Sequence, residues 1–460
     1  MPLNPCVDEE LKKLRERELR EFEKRTPKSR ELFEKAKSLI PGGTTYAIRF
    51  YEPYPAYIAR GKGVYVWDVD GNKYIDFWMG HGANILGHAH DEVIREVEEA
   101  IRSRGVHLGF ANEVEIEYAE FLKKTLPWIE EIKFSNTGTE ANMQVARLAR
   151  AYTKRKKIVK VEGGWHGGYD ALHVGVTYPF RGPESLGLPE EFIAFTEVVP
   201  FNDIDAAEKV LKKEDVAEVV VEPVLGAGGG IEADPQYLKE LRRLCDQYGT
   251  LLVFDEVITG FRVAYGGGVE RYGVKPDIVV YGKIIGGGFP GAGAFGGRAE
   301  IMELLDHVKI REGRKRSFHG GTFTANVVTL TAGHATLRIL HSRRSLYEEA
   351  EELWKKWREE VEKTAKDLGV PVYTTGLGTV VGLHFTEERP RSARQAVEKR
   401  WSKVAAEALH VYARNRGILY ISEHLAHFLP ALIHGKEHLD ELKNVVVSFL
   451  ERVSKILKRA

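Results

Sequence analysis

The chain has 460 residues, 43% of them hydrophobic, and its 67 basic and 67 acidic side chains balance to a formal net charge of zero. That balance argues against nucleic acid or an anionic membrane surface as a partner. The two cysteines lie far apart, no apolar run approaches the ~20 residues of a membrane span, and Lys, Arg and Glu are abundant. We therefore expect a cytoplasmic protein, with a composition that leans towards a thermophile.

The sequence of residues 1–80 predicts a charged helical segment followed by a β-hairpin. The helical segment covers about residues 9–39, and we expect a solvated face with an apolar stripe on a partner subunit. Two alternating apolar runs then flank Asp70 and Gly71, which are typical residues of a hairpin turn. We assign residues 1–80 to part of a smaller domain.

Residues 81–340 predict a large α/β domain. The β-branched runs IVKVEG, AEVVVEP, LLVFDE and DIVVYGK alternate with helical stretches such as PQYLKELRRLCDQYG. Continuous apolar strands that alternate with helices predict a mostly parallel sheet flanked by helices. Residues 341–460 contain a long helix, a strand and helical stretches near 393–416 and 436–457, which predict a smaller α+β domain.

Polar residues follow several of these strands, where ligands of open parallel sheets collect. In FSNTGTEAN, a strand runs into Thr137, Gly138 and Thr139 and then into a helix. Free backbone N–H groups and the helix dipole make such an N-terminus a site for a phosphate. An ordinary N-cap turn would have the same residues, so this motif alone is ambiguous.

Asp255 and Lys283 each end a predicted buried strand. Asp255, which Glu256 follows, needs a positive partner unless it reaches solvent. Lys283 lies among glycines and small apolar residues, where poor solvation lowers the pKa of an amine and leaves it nucleophilic, although most lysines reach the surface. Together with a phosphate site, these groups match pyridoxal phosphate, since a lysine forms its Schiff base and an acid holds its ring nitrogen.

At these residues the sequence resembles the class III pyridoxal-phosphate aminotransferases, and among them the glutamate-1-semialdehyde aminomutases and β-amino-acid transaminases. The segments FDEVITGFRVAYGG and GVKPDIVVYGKIIGGG match the signature block, including the spacing from Asp255 to Lys283, and the similarity covers nearly the whole chain. The resemblance implies fold type I and a homodimer with the active site at the subunit interface. It implies that Lys283 and Asp255 are the catalytic residues.

The resemblance also implies further binding residues. For the cofactor, Val257 would pack on the ring, Trp165 would stack beside His166, Glu222 would lie near the phenolic oxygen, Thr137, Gly138 and Thr139 would bind the phosphate, and Thr322 would reach the phosphate of the neighbouring subunit. On the substrate side, Arg49 would grip a carboxylate bidentately, with Tyr46 and His81 beside it.

Two positions depart from the aminomutase pattern. His81 stands where aminomutases carry a tryptophan, and Leu425 stands where they carry an acid. We therefore predict a ping-pong aminotransferase that moves an amino group from an amino acid or amine to a keto acid. The alternatives are a glutamate-1-semialdehyde 2,1-aminomutase and an amino-acid racemase on the same scaffold.

Two other classes of site are disfavoured. His81, His88 and His90 match no metal-binding spacing, so we expect no metal. The segment GGGFPGAGAFGG has neither a Walker pattern nor a dinucleotide fingerprint, which disfavours a nucleotide cofactor.

Overall fold

The computed structural model describes residues 5–309 and 315–459. The helices are α1 (Pro5–Arg25), α2 (Pro27–Lys37), α3 (Met79–Gly82), α4 (Asp91–Arg104), α5 (Glu113–Thr125), α6 (Gly138–Thr153), α7 (Glu190–Ile193), α8 (Ile204–Leu211), α9 (Pro235–Tyr248), α10 (Gly267–Tyr272), α11 (Ala299–Met302), α12 (Val327–Ser342), α13 (Ser345–Leu368), α14 (Ala393–Glu398), α15 (Ala405–Arg414) and α16 (Lys436–Leu457). The strands are β1 (Ile58–Lys62), β2 (Tyr65–Asp68), β3 (Lys73–Asp76), β4 (Glu131–Ser135), β5 (Lys157–Val161), β6 (Thr196–Val199), β7 (Val216–Val221), β8 (Val224–Leu225), β9 (Ile231–Glu232), β10 (Leu251–Asp255), β11 (Ile278–Gly282), β12 (Gly293–Gly297), β13 (Tyr373–Leu377), β14 (Val380–His384), β15 (Ile418–Leu419) and β16 (His427–Phe428).

The largest sheet has seven strands in the order β4, β12, β11, β10, β7, β5, β6. The strands from β11 to β6 are parallel to their neighbours, whereas β12 is antiparallel to β11 and β4. Val219 and Val221 of β7 face one hydrophobic core and Val220 faces another, because side chains alternate along a strand. The predicted mostly parallel sheet, covered on both faces, is confirmed.

A separate hydrophobic core joins the two ends of the chain. It contains Leu11 of α1 and Ile75 of β3 together with Trp354 of α13 and Phe449 of α16. The expectation that the apolar stripe of the first helix packs on a partner subunit is therefore wrong, because the stripe finds its apolar partners within the same chain. The division into residues 1–80, 81–340 and 341–460 stays a prediction.

Two predicted helical segments are interrupted. The segment at 9–39 breaks at Thr26, because Pro27 has no N–H with which to continue α1. The stretch at 393–416 divides into α14 and α15, and the Ser402 hydroxyl accepts the N–H of Val404 and Ala405 between them, each at 3.1 Å. The hairpin is confirmed, since β2 and β3 pair antiparallel.

Two other kinds of feature are absent from the described part of the chain. Within residues 5–309 and 315–459, no helix combines the length and apolar character that crossing a membrane requires. The same part of the chain holds no group of three or more His, Cys, Asp or Glu side chains arranged for a metal ion. The ring of His88 instead pairs with the Asp76 carboxylate at 2.7 Å.

Candidate active site

A cavity of about 380 Å³ opens at the carboxyl edge of the large sheet. The size suits one small cofactor. Most of the predicted cofactor-binding residues line it, namely Thr137, Gly138, Thr139, Trp165, His166, Asp255, Val257 and Lys283.

Lys283 follows β11 directly and enters the cavity from an unusual backbone conformation. Its φ is +51°, in the left-handed region that a non-glycine residue seldom adopts. Burial lowers the pKa of its amine, Asp255 and Glu222 act in the opposite direction, and the Arg262 charge lowers it further. The surroundings therefore favour a neutral, nucleophilic amine.

Asp255, at the end of β10, is 1% exposed, and both of its carboxylate oxygens accept hydrogen bonds. Its Oδ2 pairs with His166 Nδ1 at 2.7 Å and accepts from Asn142 Nδ2 at 2.9 Å, and its Oδ1 accepts the Val257 N–H at 3.0 Å. These donors fix the plane of the carboxylate. The neighbouring Glu256 turns away and accepts the N–H groups of residues 268 and 269 at 2.9 Å.

The phosphate end of the predicted site lies at the N-terminus of α6. Thr137 caps this helix, and its hydroxyl accepts the Glu140 N–H at 3.0 Å. The N–H groups of Gly138 and Thr139 belong to the first turn, which has no acceptor inside the helix. At Gly293, a Cβ would lie 2.4 Å from the Thr137 carbonyl oxygen. The glycine-rich segment thus supplies β12, which approaches this turn closely.

The loop after β5 carries Trp165 and His166. The Trp165 N–H donates to Glu222 Oε1 at 2.8 Å, so Glu222 lies behind the loop rather than in the cavity lining. The buried Lys160 ammonium donates to the carbonyl oxygens of Gly164, Leu172 and Val174 at 2.9, 3.2 and 2.6 Å. Lys160 therefore holds the base of this loop.

The three predicted substrate residues contact one another but do not line this cavity, and Arg49 instead lines a second cavity of about 410 Å³. Arg49 Nε donates to His81 Nε2 at 3.5 Å, and the Tyr46 ring lies 5.7 Å from the His81 ring. Burial lowers the pKa of His81 to about 4, and the charges of Arg49 and Lys283 lower it too. The charges of both predicted functional cations therefore act on His81.

Thr322 lies elsewhere. It is exposed in the turn before α12 and does not line the cavity, so its predicted contact with a neighbouring subunit stays a prediction.

Sequence reasoning missed Asn142, Lys160 and Arg262. Asn142 stands four residues after Gly138, on the same face of α6, so helix periodicity would have placed it beside the site. Lys160 lies inside the apolar run IVKVEG, which is itself a signal of burial, whereas no local pattern distinguishes Arg262 from an ordinary surface cation.

Several known proteins resemble this chain in sequence or in fold. The family described as aminotransferase class-III matches residues 46–450. The glutamate-1-semialdehyde 2,1-aminomutase of Thermodesulfovibrio yellowstonii is 41% identical over 81% of this chain and 87% of its own length. An omega-transaminase from Sphaerobacter thermophilus is 34% identical with a TM-score of 0.86, covering 92% of this chain and 97% of its own. A glutamate-1-semialdehyde-aminomutase from Pseudomonas aeruginosa PAO1, in complex with PMP, is 25% identical with a TM-score of 0.87, covering 98% and 100%.

Pyridoxal phosphate is the cofactor of this chain, and the residues present fit it. Asp255 offers a carboxylate, Lys283 offers an amine with a lowered pKa, and the first turn of α6 offers free N–H groups. A Cβ at Gly138 would lie 2.7 Å from Val257 Cγ2, so only a glycine leaves room between the turn and the valine. By sequence, fold and cofactor, the chain belongs to the class-III aminotransferase family.

Proposed function

We propose that this enzyme is a glutamate-1-semialdehyde 2,1-aminomutase, which moves an amino group within one small substrate. The observation that carries the proposal is the 41% identity to a protein of that name over most of both chains. Arg49 supports it, because no carboxylate of the described residues forms an ion pair with this exposed guanidinium, which suits a substrate carboxylate.

The residues have defined tasks in this proposal. When bound, the cofactor supplies the carbonyl that captures the amino group and the ring that withdraws electrons. Asp255 would hold the ring nitrogen and keep it protonated. The neutral amine of Lys283 would take the proton from the substrate carbon that loses the amino group and return it to the adjacent carbon that receives the group. Arg49 grips the carboxylate throughout.

An aminotransferase is the second candidate, and specific residues favour it. His81 and Leu425 replace the tryptophan and the acid that mark the aminomutase pattern, and the omega-transaminase is 34% identical. A transaminase releases a keto product and then needs a keto acid to restore its cofactor, whereas an aminomutase needs none.

One pair of assays separates the candidates. The purified enzyme is given glutamate-1-semialdehyde without a keto acid, and separately a panel of amino acids and amines with pyruvate or 2-oxoglutarate. We expect turnover in the first assay. Turnover that depends strictly on a keto acid would favour the aminotransferase, and loss of optical activity without transfer would favour a racemase. Lys283→Ala should abolish each reaction, and full activity of that variant would contradict the assigned role.

We further propose a homodimer. Phe110 and Phe323 are 85% and 60% exposed, and His107 contacts Phe323 with ring centroids 5.2 Å apart. This apolar surface adjoins Thr322, so a second copy seated here would bring Thr322 towards the neighbouring phosphate site. Light scattering should give twice the chain mass of 51.9 kDa, and a monomer at assay concentrations would contradict the proposal.

A further inference from the structure

Arg262 is a buried charge that lowers the pKa of Lys283, but that effect does not account for its hydrogen bonds. Its side chain has 0% exposure, and among the described residues no carboxylate forms an ion pair with it. Its Nη1 donates to Thr379 Oγ1 at 3.1 Å and to the Pro430 carbonyl oxygen at 2.7 Å, while its Nη2 donates to the carbonyl oxygen of Gly82. Burying a guanidinium without an ion-pair partner costs free energy, so a structural role is expected for the carbonyl contacts that hold it.

The segment that Arg262 contacts is strained. Met79, Gly80, His81 and Gly82 have φ values of +46°, +61°, +59° and +81°, so four consecutive residues are left-handed. Non-glycine residues in this region are disfavoured, and the surrounding structure must hold them there.

Contacts at both ends hold this turn. At its start, Asp76 Oδ1 accepts the N–H groups of Trp78 and Met79 at 2.7 and 2.9 Å. At its end, Arg262 binds the Gly82 carbonyl, and a Cβ at Gly82 would lie 3.2 Å from Arg262 Nη2.

We propose that Arg262 is a positioning residue, which clamps the left-handed turn 79–82 and thereby holds His81 against Arg49 on the substrate side. The inference rests on the proposed substrate role of Arg49 and His81. It does not depend on whether the enzyme is an aminomutase or an aminotransferase.

The main test follows the imidazole of His81 by NMR titration in the enzyme without substrate. The groups that act on His81 are Arg49, Lys283 and Asp76, and burial holds its pKa near 4. In Arg262→Met the released turn should let water reach the ring. We expect the pKa of His81 to rise by about 1 unit or more towards its ordinary value of 6.5.

Arg155→Met is the matched control. Arg155 also ties backbone carbonyls together, at residues 216, 248 and 249, but it does so at the amino edge of the sheet, opposite the cavity. This variant should leave the titration of His81 unchanged. An equal shift in both variants, or no shift in folded Arg262→Met, would overturn the proposal.

Two further variants keep the test decisive if Arg262→Met does not fold. Gly82→Ala attacks the same contact from the other side and should move the pKa of His81 in the same direction, while Arg262→Lys retains the charge and should shift it less. In both, KM for a carboxylate substrate should rise about ten-fold with a smaller change in kcat, and the absorbance of the bound cofactor should stay the same. An unchanged pKa of His81 and an unchanged KM in both variants would refute the role. Because the titration needs no substrate, a wrong substrate assignment would leave its outcome intact.

Discussion

The chemistry of Lys283 follows from its immediate surroundings. Its backbone is left-handed, its amine is poorly solvated, and the Arg262 cation acts on it; burial does most to lower its pKa. The negative charge of Asp255 acts in the opposite direction and raises the pKa of Lys283, so the two side chains interact electrostatically. A lysine at the same place in a solvated turn would remain an inert ammonium.

Arg49→Gln tests the substrate side at the scale of one residue. We expect KM for carboxylate-bearing substrates to rise about 10- to 100-fold, because a charge-assisted pair is lost, while simple amines change little. Steady-state kinetics on both classes of substrate measure the difference. Arg60→Gln is the control, since the Arg60 guanidinium stacks on Trp67 at 3.9 Å. Equal losses on both classes would remove Arg49 from the substrate site.

At the scale of elements, the site lies at the edge of the large sheet where several strands end. β10 delivers Asp255, β11 delivers Lys283, and β5 leads into the loop with Trp165 and His166. Parallel strands in one sheet necessarily end at the same edge, so short local segments converge without any local signal that they will meet. The helix α6 adds its N-terminus to the same edge.

Lys160→Met tests whether the loop after β5 depends on its buried ammonium. Removing the donor leaves three carbonyl oxygens without a partner, and the loop that carries Trp165 and His166 should loosen. We expect the Kd for pyridoxal phosphate, measured by titrating the apoenzyme, to rise about ten-fold or more. Lys157→Met is the control, because Lys157 lies on the same strand but pairs with Asp215 at the surface. An unchanged Kd in Lys160→Met would show that the loop is held by other contacts.

At the scale of the whole molecule, an ion pair ties the cavity loop to the C-terminal part of the chain. Arg394 of α14 donates to both carboxylate oxygens of Glu162, at 2.9 and 2.6 Å. Glu162 directly follows β5, is 6% exposed, and raises the pKa of Arg394 through its hydrogen bonds. Because this ion pair is bidentate and partly buried, a movement of α14 would be transmitted to the loop that carries Trp165.

Global stability should depend on pH through Glu218. This residue of β7 is 1% exposed and one carboxylate oxygen has no partner among the described residues. Burial raises its pKa from 4.5 to about 8. Between these values the unfolded chain loses the proton while the folded chain keeps it, so the free energy of unfolding falls as pH rises and levels off above about 8.

Glu218→Val removes this titration, and its stability gain over the natural chain should grow from pH 5 to pH 9 by an amount on the order of several kcal/mol. Denaturant unfolding at three pH values measures the gain. Glu218→Gln, which is polar but does not titrate, should show the same pH trend with a smaller gain. A gain that is constant with pH would contradict a raised pKa at this position.

The sequence by itself determined the main strands, the hairpin and the positions of Asp255 and Lys283. β-branched runs, turn residues and the signature block are local features, which can be recognised without knowing how distant parts of the chain pack. The same reasoning failed where the outcome depended on contacts within the fold. That reasoning assigned the apolar stripe of α1 to a partner subunit, and it missed the helix interruptions at Pro27 and Ser402.

Only the tertiary structure decided which groups surround those two residues. His166 and Asp255 are 89 residues apart in sequence, and Arg262 and Gly82 are 180 apart, yet each pair is hydrogen-bonded. Hydrophobic patterning specifies which face of an element is buried, but not which polar side chain another element brings to it. The partner of Asp255, the clamp on His81 and the burial that lowers the pKa of Lys283 all arise from packing between distant segments.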